Sequence, residues 1–213
     1  MILTTYSIVL FDNLSFNQLF TDVDVYQSQL PISILQFEQV KSYGQLFSWN
    51  PNLGAGYILE GQYATNSIIR KFIFLVSPNF IFATNFYVFI HLIIGLYVLI
   101  LFFKEVGFSS YTSVIGSYVF FTSNQVITWT PFIHYPSFIL AFALLNYSMV
   151  ISNKNKFRSF ALFALGFYIV SSGGHLQNVV FLYLYCVTFL LFGWFTKTIK
   201  GKLNYQTLSI SLI

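Results

Sequence analysis

Asp22 and Asp24 are two carboxylates separated by a single valine, directly ahead of a helical pattern. Such a pair can share a divalent cation, or one member can act as a base while the other tunes it. The plainer account is capping, in which Asp22 or Asp24 accepts hydrogen bonds from the free amides of a helix start. Further along, Arg70, Lys71 and His175 are the groups that could stabilise phosphate charge. Arg70 and Lys71 have a simpler reading as headgroup anchors, since bases at the ends of apolar helices snorkel to the interface. His175 could equally end a helix by bonding a carbonyl, and Gly173-Gly174 before it reads as a tight turn rather than a phosphate cradle. Gln62 and His134 are weaker candidates, since a polar residue at an interface needs no special account. His91 lies inside an apolar run, where an ionisable group faces protein or a water-filled cavity; a neutral ring bonded to a neighbouring helix is the expected state, with no role assigned.

The elements that must position these groups are set by composition. Of 213 residues, 56% are apolar, 21% aromatic and only 8% charged, and the mean hydropathy is +0.71. A soluble domain carries about 25% charged residues because its surface faces water. Six acids and ten bases are too few for that. A cytosolic enzyme, a disordered chain and a disulfide scaffold are thereby excluded, and the single Cys186 has no partner within the chain. The bases lie beside apolar runs rather than in one patch, so the basic balance reports membrane orientation and not a nucleic-acid partner. The expected fold is all-α: a polytopic transmembrane helix bundle in the lipid bilayer of the cell membrane.

Phe80–Phe103 has 24 residues without a formal charge, about 36 Å of helix against a hydrocarbon layer of about 30 Å. Four further spans are expected over Ser113–Ile133, Pro136–Ile151, Phe157–Ser172 and His175–Phe195, with Leu203–Ile213 as the opening of a sixth. The second holds Asn124 and Gln125 and would span only with those amides turned to other helices. Pro136 suits a first helical turn. Five spans place Lys104, Lys154, Lys156, Arg158, Lys197, Lys200 and Lys202 on one side, the cytoplasm. Residues 1–79 then form an extracytoplasmic region, and residues 80–213 the bundle. Asp12, Asp22, Asp24, Glu38 and Glu60 all fall on the outer side.

In that outer region Tyr26–Tyr43 has apolar Leu30, Ile34, Phe37 and Val40 three or four apart, an amphipathic helix with Pro31 in its first turn and Gly44 as its stop. It is expected to lie along the membrane surface. Trp49-Asn50-Pro51 and Gly54-Ala55-Gly56 form a stretch that cannot be regular helix, and a second short helix is expected over Asn66–Val76, before Pro78. Ile2–Phe11 is too short to cross and has no signal-peptide flank. A shortened or missing initial span and an unfinished last one make the sequence read as a piece of a larger protein.

The run TDVDVYQSQLP, then a helix, FSWNPNLGAGYILEGQ, IHLIIGLYVLILFFKEVGFS and finally GGHLQ ahead of an apolar span resembles the YfhO family. These are bacterial multi-spanning proteins grouped with the GT-C glycosyltransferases. The resemblance runs from about Asp12 to Phe195 and is most specific at Asp24 with Gln27, Gln29 and Pro31, at Trp49-Asn50-Pro51 with Gly54 and Gly56, at Gln62, and at Gly174-His175-Leu176-Gln177. It implies an enzyme that takes a sugar from a polyprenyl-phosphate donor on the outer face and passes it to a cell-envelope acceptor. It also implies Asp24 as catalytic base and Asp22 as a neighbour able to substitute or bind metal; Gln27, Gln62, His175 and Gln177 of its motifs, with Arg70 and His134 on the same expected side, are the candidate substrate-binding residues. The chain departs from the pattern in lacking a convincing first span and in stopping after few spans. The alternatives are a transporter or flippase, for which only His91 is an ionisable group at mid-span, and an inactive membrane subunit.

Overall fold

The computed structural model describes residues 30–44, 49–50, 57–58, 67–130, 132, 134–152, 154–173 and 176–200. The described chain is all-α apart from one two-residue ladder. Its helices are α1 (Leu30–Tyr43), α2 (Ile68–Val76), α3 (Phe80–Val106), α4 (Ser110–Phe121), α5 (Asn124–Trp129), α6 (Tyr135–Ile151), α7 (Lys156–Gly173) and α8 (Leu176–Lys200). Between α1 and α2, β1 (Trp49–Asn50) pairs antiparallel with β2 (Tyr57–Ile58), Trp49 opposite Ile58. The ladder flanks the Pro- and Gly-rich stretch that cannot be helical. Ile2–Phe11 and Leu203–Ile213 lie outside the described residues.

Local signals account for most boundaries. Gly44 closes α1 in the left-handed region, φ +67°, with its N–H donated to the Val40 carbonyl. Asn79 caps α3 through its side chain, accepting from the Phe82 N–H at 2.8 Å. Gly107 ends the same helix at φ +111°. Pro136 stands in the first turn of α6, where a missing N–H costs nothing.

The second expected span is corrected. Ser113–Ile133 is not one helix: α4 stops at Phe121, and Ser123 caps a separate six-residue α5 by accepting from the Val126 N–H. Thr122 turns its hydroxyl back on the Tyr118 carbonyl at 2.9 Å, the local bonding by which Ser and Thr compete with a continuing helix. Among the described residues one helix, α3, is long and apolar enough to cross a membrane.

The long helices run up and down. Gly95 of α3 faces Phe121 of α4, whereas Gly116 of α4 faces Phe103 near the end of α3, so these two are antiparallel. Helix α6 is parallel to α3: Tyr87 meets Ser137 near both starts, and Glu105 in the last turn of α3 pairs with Lys154 just past the end of α6. Helix α7 returns against α6, with the Ser159 hydroxyl on the Ser148 carbonyl at 2.8 Å and Gly166 against Ala141 and Leu144. Helix α8 is again parallel to α6, its Tyr185 hydroxyl donated to Asn146 Oδ1 at 2.6 Å. The main core, which includes Leu92, Leu96, Phe121, Leu140, Leu145 and Val170, lies at the α3–α4–α6–α7 contact.

The described surface is more apolar than that of a water-facing globule, and polar side chains join the apolar core. Ser113, Ser117, Ser137, Asn146, Ser148 and His91 are buried, while Tyr97, Phe160, Leu165, Phe181, Leu184 and Leu191 point outward.

Candidate functional site

Helix α2 is a short element with unusual burial. Ser67 caps it, its Oγ accepting from the Arg70 N–H at 3.2 Å. The cap fixes the first turn and thereby the direction of Arg70, whose side chain is fully buried. One turn on, Phe74 places its ring under the guanidinium, 4.8 Å from carbon to ring centre. The outward face of α2 instead carries Ile68, Phe72, Leu75 and Val76. Arg70 is therefore not a headgroup anchor with its charge turned outward; it points into the protein, and the apolar residues face out. Burial pulls the guanidinium down to about 10 against an ordinary 12.5, with Tyr87 acting in the opposite direction. At neutral pH it keeps its charge.

Tyr87, on the second turn of α3, is also fully buried. Its hydroxyl shares a hydrogen bond with Ser137 Oγ at 2.5 Å and reaches the Ser67 side chain as well. One phenol thus joins α2, α3 and α6. The Tyr168 hydroxyl accepts from the Ile68 N–H at 3.4 Å and brings in the last turns of α7. Helices α2, α3, α6 and α7 therefore converge on one pole, opposite that of Lys104, Lys154, Lys156 and Arg158.

His91 follows Tyr87 by one turn and lies against its ring, centroids 4.1 Å apart. Its Nδ1 meets the Tyr87 carbonyl at 2.7 Å. A carbonyl only accepts, so Nδ1 holds the hydrogen and Nε2 the lone pair. The expected bond to a neighbouring helix is replaced by one within α3, and Nε2 meets no partner among the described residues.

The other expected site residues divide clearly. His134 is at the start of α6, nearly buried and beside the Phe132 ring, and it makes no side-chain cap. Gln177 is exposed in the first turn of α8. Both belong to the Arg70 pole. Asp22, Asp24, Gln27, Gln62 and His175 lie outside the described residues, and with the aspartates goes the pair suited to a divalent cation. Among the described residues no three His, Cys, Asp or Glu side chains gather as metal ligands.

The expected face of α1 is corrected. Ile34 is exposed, and the buried residues are Ile32, Ser33, Gln36, Gln39 and Val40, an arc rotated by about 100°, one residue, from that of Leu30, Ile34, Phe37 and Val40. Three of the five buried side chains are polar. Tyr87, Ser137 and Gln36 were not marked by apolar periodicity. The signal available for the first was Tyr87 and His91 four apart on one face of an otherwise apolar helix.

No family model, curated protein or solved structure matches the chain.

Proposed function

We propose that this is a multi-pass membrane protein of GT-C type, transferring a sugar from a polyprenyl-phosphate donor at the pole formed by α2 and the starts of α3, α6 and α8. The single observation that carries the reading is Arg70, a side chain charged at neutral pH and buried at that pole on a helix whose outward face is apolar. A guanidinium suits a phosphate oxygen pair geometrically. The outward Ile68, Phe72, Leu75 and Val76 suit insertion beside acyl chains. Outward apolar side chains on α3, α7 and α8 with buried serines, Asn146 and His91 favour a lipid environment, where polar groups must turn inward.

In this reading residues 1–79 are extracytoplasmic. Asp24 takes the proton of the acceptor hydroxyl as its oxygen forms a bond to the anomeric carbon. The bond from that carbon to the phosphate oxygen breaks, the electron pair leaves with the polyprenyl phosphate, and Arg70 offsets its growing charge. Asp22 is the second carboxylate, available to a divalent cation. Gln27, Gln62, His134, His175 and Gln177 surround the headgroup.

Replacing Asp24 by Asn in the membrane-inserted chain is expected to lower sugar transfer by about 10²-fold or more with insertion unchanged. Retained transfer removes Asp24 from the role of base.

A further inference from the structure

Gln36 is at the centre of the buried arc of α1, between Gln39 and Ser33, and its side chain is completely enclosed. Neither amide atom, Nε2 or Oε1, meets a hydrogen-bond partner among the described residues. A buried amide with both ends unmet bears its full desolvation cost, and an apolar side chain of the same size would bear none. Gln36 is one turn from Val40, which packs with Phe74 and Tyr87. Phe74 is the ring under Arg70, and Tyr87 is the phenol that acts on it. Phe37, next to Gln36 on α1, meets Phe74 of the neighbouring α2 edge-on at 5.4 Å. The residues that flank Gln36 on α1 thus share Phe74 with the buried cation.

We propose that Gln36 recognises the glycosyl unit of the donor, its amide engaging two adjacent sugar hydroxyls while Arg70 holds the phosphate. This rests on the phosphate-linked donor proposed above. A carboxamide presents an acceptor and a donor side by side, so Oε1 takes the hydrogen of one hydroxyl and Nε2 gives one to the oxygen of its neighbour. A charged side chain at this position would compete for the phosphate or repel it; a neutral amide reads hydroxyls without doing either. Enclosure makes the reading selective, because a ligand without the hydroxyls leaves the amide unmet.

The test uses the full chain in lipid nanodiscs with citronellyl phosphate, bare or bearing glucose, galactose, mannose or N-acetylglucosamine. The native protein should bind at least one glycosylated probe about tenfold tighter than the bare phosphate. Gln36→Met should bring that ratio to within about twofold, leave affinity for the bare phosphate unchanged, and raise the thermal midpoint without ligand. Gln36→Asn, which keeps the amide but withdraws it by one methylene, should lose most of the preference and serves if the Met variant fails to insert. A preserved preference in either variant overturns the proposal, as does a lower midpoint with preference intact, which would make the amide structural. Bare-phosphate binding with no sugar preference in the native protein overturns the role of Gln36 alone. No binding of any probe overturns the donor class on which it rests.

Discussion

At the scale of single residues, Arg70 and Tyr87 carry the most weight. The lowered guanidinium value sets a pH window. The folded value, about 10, is below the ordinary 12.5, so between the two the unfolded chain holds more protons and stability rises with pH. Below about 10 the cost of the buried cation is complete and flat. Anion binding follows the opposite course, because it needs the charge. The phosphate-induced rise in thermal midpoint should be constant from about pH 6 to about pH 9 and fall beyond about pH 10. In Arg70→Lys the amine starts near 10.4 and is driven lower by the same burial, so the loss should come about 2 pH units earlier. A pH-independent response in both proteins would separate anion binding from this residue. Tyr87→Phe leaves the Ser137 hydroxyl buried without its phenol and should cost about 1–2 kcal/mol in denaturant unfolding, with α2 losing protection from amide exchange before α3.

At the scale of elements, the close approaches of α6 to α3 and α7 depend on residues without side chains. A Cβ on Gly166 would stand 3.2 Å from Leu144 Cβ and 3.3 Å from the Ala141 carbonyl oxygen, the latter a backbone atom that cannot step aside. Gly166→Ala should therefore destabilise by about 1–3 kcal/mol. The same change at Gly116 meets Phe103 at an ordinary 3.6 Å and should be neutral or stabilising by up to about 1 kcal/mol through helix propensity. Thermal midpoints of the two variants check the contrast, and equal shifts would refute it. These elements also show what apolar pattern conveys and what it does not. Long uncharged runs mark α3, α6, α7 and α8 to within a few residues, because a helix that buries or faces lipid on every side needs no periodicity. The break after Phe121 was hidden, since it depends on Thr122 and Ser123 capping locally within a run that remains apolar. The face of α1 was misread for a related reason: Leu30, Ile34 and Phe37 assume an apolar interior, whereas the interior here receives Ser33, Gln36 and Gln39. Arg70 was read as an anchor by the same reasoning. Polar pattern predicts the outside only where the outside is water.

At the scale of the whole molecule, the two poles differ in charge, and on the proposed multi-pass reading that difference would set the orientation. Lys104, Lys154, Lys156 and Arg158 gather where α3 and α6 end and α7 begins, with Glu105 tying Lys154 to the end of α3. Arg158 lies over the Tyr147 ring at 5.5 Å, so part of the positive charge is fixed in place. The opposite pole has Arg70 turned inward and Lys71 beside the apolar face of α2. Basic loops remain on the cytoplasmic side during insertion, so the multi-pass reading proposed above would put α2 outside. Single cysteines at Lys156 and Phe72, both on exposed positions, discriminate between orientations in Cys186→Ala cells. An impermeant maleimide should label Phe72→Cys in intact cells and Lys156→Cys only after permeabilisation. Labelling of both from one side would mean that the helices do not carry the chain across, and the proposed phosphate site would lose its access to an extracytoplasmic donor. Labelling of Lys156→Cys alone from outside would invert the protein, and Arg70 would then serve a cytoplasmic anion.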